Sequence, residues 1–286
     1  QGVEALCVNY KGGTGFFTPL QRDESFCHLK DKPHYSVEEL QDYIKRRYNV
    51  VYQSKQSYYD ILKDAGLSWH RTQATNPKQN EEAVLLKREE IKKLDARQSD
   101  IVSGQLIVFS EDESHLLWGD TQGYVWGRCN ERTEIPIQNV AMRQTYYGAL
   151  NLLTQEFTIM PAESGNGVNS VLFIKHLQAL HPDTQLLILW DGASYHCCQE
   201  VKNYLKEINH GLEEKDWKVT CIRFAPHAPA QNPTEDVWLK GKRFLRDNFF
   251  NNKTFHQVKN CFLNFLNKNI FNFDKIRWYL EITQPV

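Results

Sequence analysis

The sequence predicts an α/β protein, a mixed sheet with helices on both faces, preceded by a small all-α helix-turn-helix domain. Three observations carry this. Up to about residue 97, apolar residues recur at helical spacing behind capping signals. From Gln105 the period shortens, and several apolar runs of strand length follow in succession. Beyond residue 168, helical and strand patterns alternate, as they do where helices cover both faces of a sheet. The 286 residues, 41% apolar and 24% charged, suit one large soluble domain plus a small one.

The elements follow in order. Lys11-Gly12-Gly13-Thr14-Gly15 lacks the closing Gly-Lys-Ser/Thr of a phosphate loop and reads as a turn. Thr18-Pro19-Leu20-Gln21 starts a helix, with Thr as cap, Pro at the first position and Gln at the third. Ser36-Val37-Glu38-Glu39 is a second capping box, opening a helix to Arg47 with Val37, Leu40, Tyr43 and Ile44 on its apolar face. Ser54 caps a third helix, striped by Tyr58, Ile61, Leu62 and Ala65 and closed by Gly66. The last two helices suit a helix-turn-helix, which puts Ser54, Lys55, Gln56 and Ser57 in the first turn of the recognition helix, against DNA bases; an ordinary helical hairpin is the competing reading. Thr72 to Gln79 is a polar linker, and Glu81 to Arg97 a charged amphipathic helix. Strands are expected at 105–110, 115–119, 123–128, 144–150, 156–160, 185–190 and 218–224, with helices at 168–180, 197–208 and 233–248. The tail from Thr254 is helical, with Phe255, Val258, Phe262, Phe265 and Leu266 at packing spacing. The expected divisions are 1–72 for the helix-turn-helix region, 73–100 for linker and helix, 101–253 for the sheet domain and 254–286 for the tail.

Composition bounds the function. No apolar run approaches the roughly 20 residues of a membrane helix, and no secretory leader is visible. Seven cysteines at irregular spacing, with no Cys-x-x-Cys pair, suggest reduced thiols in a cytoplasmic setting rather than a disulfide framework or zinc site. The start at Gln1, without Met, suggests a fragment. The net charge of −1 hides a division: residues 1–99 carry +2, residues 100–200 carry −8 and residues 201–286 carry +5. An acidic middle between basic ends fits a metal-binding centre flanked by phosphate-contacting surfaces.

Three acids stand where a strand or turn hands the chain on. Asp112 follows Leu106-Ile107-Val108-Phe109, Asp191 follows Leu186-Leu187-Ile188-Leu189-Trp190, and Glu235 lies just past Pro233 at a helix start. Converging at one sheet edge, such carboxylates hold hard divalent cations through oxygen. Two ions flanking a phosphate are the usual arrangement for phosphodiester cleavage and transfer. Glu111 and Glu113 flank Asp112, but on a strand they face away from it.

The blocks Ile107-Val108-Phe109-Ser110-Glu111-Asp112-Glu113-Ser114, Leu189-Trp190-Asp191-Gly192-Ala193-Ser194-Tyr195-His196 and Ala228-Pro229-Ala230-Gln231-Asn232-Pro233-Thr234-Glu235-Asp236-Val237-Trp238 resemble those of DDE transposases of the mariner-like superfamily, bacterial insertion-sequence branch. The resemblance spans roughly residues 35–250 and departs at Gly192, where the family usually has Asn, and in the long interval of 43 residues between Asp191 and Glu235. The surplus falls at His210 to Asp216, a polar loop.

The resemblance implies a ribonuclease-H-like fold and a cut-and-paste transposase: an enzyme that binds terminal inverted repeats, cleaves the ends and joins them to double-stranded target DNA at TA sites. It further implies a homodimer, cytoplasmic and nucleoid-associated, with Asp112, Asp191 and Glu235 holding Mg²⁺, for which Mn²⁺ can substitute. The helix-turn-helix would be the second half of a bipartite end-binding region. His196 falls on the His of the second block, as a contact to the scissile phosphate or as a helix cap. Asn232 is expected to fix the turn into the Glu235 helix, Trp238 to pack that helix on the sheet, and Lys240, Lys242, Arg243 and Arg246 to lead DNA phosphates inward. The alternatives are an inactive relative that only binds DNA, and another ribonuclease-H-like nuclease.

Overall fold

The computed structural model describes residues 17–31, 35–69, 80–124, 134 and 142–283. The chain forms two compact units, Gln1–Ala74 and Thr75–Val286.

In the first unit, α1 (Pro19–Leu29) and α2 (Val37–Tyr48) each open on a reciprocal capping box, Thr18 with Gln21 and Ser36 with Glu39. The Ser54 side chain caps α3 (Lys55–Asp64). Past its end, Gly66 takes φ +82°, and its N–H reaches the Lys63 carbonyl while that of Leu67 reaches Leu62. That pair of bonds closes the helix and needs a residue tolerant of the left-handed region. Leu29, Val37, Leu40, Ile44, Tyr58 and Ile61 form the core, so the helical-period stripes of α2 and α3 are the faces that meet.

The second unit runs α4 (Glu81–Lys92), α5 (Gln98–Val102), β1 (Leu106–Leu117), β2 (Arg143–Asn151), β3 (Phe157–Ala162), α6 (Gly167–Leu180), β4 (Gln185–Trp190), α7 (Gln199–Ile208), β5 (Val219–Arg223), α8 (Thr234–Asp247), α9 (Phe255–Lys268) and α10 (Asp274–Thr283). The strands form one sheet in the order β3-β2-β1-β4-β5. The β3-β2-β1 side is antiparallel and the β1-β4-β5 side parallel.

The strands expected at 105–110 and 115–119 are one. The polar run Ser110–His115 lacks an apolar alternation, yet its backbone pairs residue for residue with β2, from Phe109↔Asn151 to Leu117↔Arg143. Gly123 and Tyr124 lie in no strand, and the rest of the strand expected at 123–128 falls outside the described residues.

The period-2 alternation of β1 divides its side chains between two cores. Leu106 and Val108 pack with Ile91, Val237, Trp238, Leu245, Val258 and Phe262, on the side of α8 and α9. Phe109 packs with Phe173, Ile174, Leu177 and Val201, on the side of α6 and α7. The residues of α4 and of the tail helices α9 and α10 that face inward share the first of these cores. Helix α8 lies close on the sheet: a Cβ on Gly148 would stand 2.3 Å from Phe157 Cζ and 2.6 Å from the Trp238 ring. Trp238 thus packs its helix on β2, as expected. His210 to Asp216 are exposed between α7 and β5. Among the described residues no helix is long and apolar enough to cross a membrane, and Cys27, Cys197, Cys198, Cys221 and Cys261 are unpaired.

Candidate active site

Parallel pairing of β1 with β4 runs from Leu106↔Gln185 to Ser110↔Leu189 and stops there, while β1 continues along β2 to Leu117. The sheet therefore opens on the β4 side at the level of Asp112. Asp191 is the first residue past β4, and Glu235 stands in the first turn of α8. Asp112 sits mid-strand, a correction to its expected place at a strand end; what ends at its level is the β1–β4 pairing. The edge is the crevice beyond strand carboxyl ends where open α/β sheets bind ligands.

Helix α8 is registered on β1 by neutral hydrogen bonds. The Thr234 hydroxyl donates to the Ser110 carbonyl at 2.7 Å and lies 2.9 Å from the Ser110 hydroxyl. Asn232 Oδ1 accepts from the Ser110 hydroxyl at 3.1 Å and from the Thr234 N–H at 3.0 Å. Asn232 thus fixes the turn into the helix, as expected from the sequence. Ser110 and Thr234 are fully buried, and this pinning sets Glu235 beside Asp112.

Asp191 and Glu235 both act on Asp112. Burial, then the charges of Glu113, Asp191 and Glu235, hold the Asp112 carboxyl well above the usual carboxylate range. Glu235 is raised by burial and by Asp236 and Asp191, against a lowering from Lys275. Asp191 is exposed, its Oδ1 accepting the Ala193 N–H at 2.8 Å. Two like charges about 4 Å apart cost roughly 4 kcal/mol at an effective dielectric near 20. Such a cluster calls for a proton or a cation. The donors are hard carboxylate oxygens, a set that suits Mg²⁺ or Mn²⁺.

The other face of β1 carries Glu111 and Glu113, turned away from Asp112 by the strand alternation. Burial, then Glu113, Asp112 and Asp191, push the Glu111 carboxyl well up. His196, expected to reach phosphate, is turned inward: its side chain is 1% exposed and its Nε2 lies 3.4 Å from Asp191 Oδ1. Its ring stacks on Trp190, centroids 4.3 Å apart. Asp191, Gly192 and Ser194 of the turn after β4 are exposed, and His196 alone is buried beneath them, against carboxylates. Three acids in a row on one strand were the signal for this second face; the partner histidine had none.

The residues expected to touch DNA are differently committed. Ser54, Lys55 and Gln56 are exposed and Ser57 half-buried at the start of α3. The Ser54 hydroxyl accepts the Gln56 N–H at 3.2 Å, the Gln56 amide donates to Asp60 at 2.7 Å, and Lys55 lies 3.8 Å from Glu38. On α8, Lys240 lies over the Phe271 and Phe273 rings. Lys242 donates to the His115 carbonyl at 2.8 Å and pairs with Asp120 at 3.3 Å, while Arg246 donates to the Asp120 carbonyl. Lys242 and Arg246 thus tie α8 to the turn after β1, which folds back onto the helix. Arg243 is exposed, with no ion pair among the described residues. A residue that the sequence did not single out is Lys275 of α10, 4.0 Å from Glu235 and 3.2 Å from Asp236.

A family model described as winged helix-turn helix matches residues 34–91, and one described as DDE superfamily endonuclease matches residues 107–257. The fold resembles that of the Mos1 transposase paired-end complex with left transposon end, at 12% identity and TM-score 0.60, covering 96% of this chain and 78% of that one. It also resembles the Mos1 mariner paired end complex with Mn, at 13% identity and TM-score 0.58, covering 97% and 79%. At such identities the likeness is one of fold, a ribonuclease-H-like sheet behind a winged helix-turn-helix. No curated protein matches the chain in sequence. With more than half of its length within the endonuclease model, the chain belongs to the DDE superfamily endonuclease family.

Proposed function

We propose that the chain is a cut-and-paste DNA transposase of the mariner-like superfamily, bacterial insertion-sequence branch. In this reading it binds the terminal inverted repeats of its element, cleaves the ends and joins them to target DNA at TA dinucleotides, as a homodimer on the cytoplasmic nucleoid. The observation that carries the reading is that Asp191 and Glu235 both bear on the Asp112 carboxyl at the edge where β1 and β4 part. Nothing in DNA binding alone calls for acids that repel one another there. The fold likeness to transposase complexes with transposon ends supports the DNA partner.

Asp112 from the strand, Asp191 from the β4 tip and Glu235 from α8 would hold two Mg²⁺ or Mn²⁺ ions. When bound, such ions stabilise charge on the attacking and leaving oxygens of an in-line displacement. The chain's own part is placement. The Ser110–Asn232–Thr234 pins fix the helix acid against the strand acid, and the Ala193 N–H holds Asp191 Oδ1. Lys275 neutralises part of the Glu235 and Asp236 charge until substrate arrives. Lys55 and Gln56 would read base edges from α3, and Arg243 would meet phosphates.

The test is an end-cleavage assay with a duplex carrying the element's own terminal repeat, in Mg²⁺, Mn²⁺, Ca²⁺ or EDTA. Nicking at the repeat and joining to a TA-containing plasmid are expected with Mg²⁺ and Mn²⁺ alone. Specific binding without cleavage under every condition would reduce the chain to a DNA-binding relative.

A further inference from the structure

The face of β1 opposite Asp112 holds a cluster that the proposed reaction leaves unused. Glu111, Glu113 and His196 each offer a ligand atom, and these atoms lie within 4.8 Å of one another. Their side chains are 3%, 7% and 1% exposed. Both carboxylate oxygens of Glu111, Oε1 of Glu113 and both ring nitrogens of His196 have no hydrogen-bond partner among the described residues. Buried polar groups are nearly always paired, so each of these atoms asks for an occupant.

The spacing says which kind. His196 Nε2 stands 3.8 Å from Glu111 Oε2 and 3.6 Å from Glu113 Oε1. Those separations are too long for hydrogen bonds. They are close to the separation of about 3.3–3.6 Å between two ligands that share one tetrahedral ion at bonds of about 2.0–2.2 Å. The surroundings are those of a ligand set as well. The Tyr195 hydroxyl donates to Glu113 Oε2 at 3.0 Å, the outer contact that orients a ligating carboxylate. Trp190 stacks on the imidazole with 19° between planes and holds its orientation. The charged neighbours acting on Glu111 are all acidic.

We propose that Glu111, Glu113 and His196 bind one divalent transition-metal ion on the inner face of β1, in a site that abuts the outer acids through Asp191, whose Oδ1 lies 3.4 Å from His196 Nε2. An imidazole nitrogen beside two carboxylates favours zinc-class ions over Mg²⁺. The site is structural: it closes the inner face of the β1–β4 gap and sets the imidazole against Asp191. It stands whether or not the three outer acids catalyse.

The experiment uses the full chain carrying Asp112→Asn and Glu235→Gln, which weakens the outer set. Zn²⁺ alone is titrated by calorimetry, with and without excess Mg²⁺. One Zn²⁺ per chain is expected, held against Mg²⁺, with a rise in Tm and an X-ray absorption edge showing one imidazole among oxygen ligands. Adding His196→Gln or Glu113→Gln should abolish that binding. Tyr195→Phe, which spares every ligand atom, should weaken it about 10–100-fold and covers the case in which His196→Gln does not fold. Absence of bound Zn²⁺ in the doubly substituted chain, its displacement by Mg²⁺, or Zn²⁺ binding that ignores both His196→Gln and Tyr195→Phe would overturn the proposal.

Discussion

The two compact units hold their charges in opposite ways. In the helical unit they lie on the surface and are matched along or between helices, as in Arg46 with Asp42, Arg22 with Asp64 and Lys55 with Glu38. Each of those side chains is about half exposed or more, and exposed pairs contribute little to stability. In the sheet unit, Glu111 and Asp112 carry acids on adjacent positions of one strand, their carboxyls pushed up by burial and then by acidic neighbours, Glu113 foremost. Surface charge is held at almost no cost and can be spent on any partner. Buried like charge persists only where something outside the chain's own folding requires it.

The largest expected effect tests that contrast directly. Asp112→Asn, Asp191→Asn and Glu235→Gln should each remove end cleavage to below detection while gel-shift affinity for the repeat stays within about twofold, since an amide keeps the volume but not the metal. In metal-free buffer Asp112→Asn should also melt higher, by a few degrees for about 1 kcal/mol of relieved repulsion. A lower Tm for that variant would show that the carboxylate serves the fold. Next in size is Gly148→Ala, which forces a Cβ against Phe157 and Trp238; a loss of at least about 1–3 kcal/mol is expected in denaturant melts of the sheet unit.

In the helical unit, Lys55→Ala with Gln56→Ala should leave melting unchanged and reduce discrimination of repeat from random duplex by about 1–3 kcal/mol per lost base contact. Equal discrimination by variant and parent would remove α3 from base reading. Arg243→Ala and Lys242→Ala, neighbours on α8, should part company. The first should lower binding to all DNA and reduce the salt slope by about 1; the second should cost about 1 kcal/mol of stability through the lost Asp120 and His115 ties. The smallest effect concerns pH. His181, beside Phe109, has its pKa lowered by burial, with Glu156 opposing. Its contribution is present above the unfolded value near 6.5 and lost as pH falls below it. The Tm of His181→Gln should therefore fall less steeply than the parent's between about pH 7 and 5.

Local chemistry made much of this readable. Capping boxes at Thr18 and Ser36, the closure at Gly66 and the apolar runs of β1 and β4 are decided within a few residues, and their elements lie where the sequence puts them. Asp112 read as a strand end because the polar residues after Phe109 carry no packing signal. Their strand character comes from backbone bonds to β2, whose partner residues stand 30 to 40 positions further along the chain, from Ser110↔Leu150 to His115↔Thr145. The same limit applies to His196, Lys242 and Lys275. A residue's type announces that it can carry charge, whereas its partner is fixed only when β4, the turn after β1 and α10 arrive at the same edge.

The hydroxyl and amide pins among Ser110, Asn232 and Thr234 contain no ionisable group. At the Glu235 end of the helix, the bonds that set its spacing from the strand therefore carry no charge that protonation, salt or a cation could alter. The acids are free to change partners on a frame that does not register the change. Varying pH or metal thus changes the carboxylates without loosening the pin that sets Glu235 on the strand.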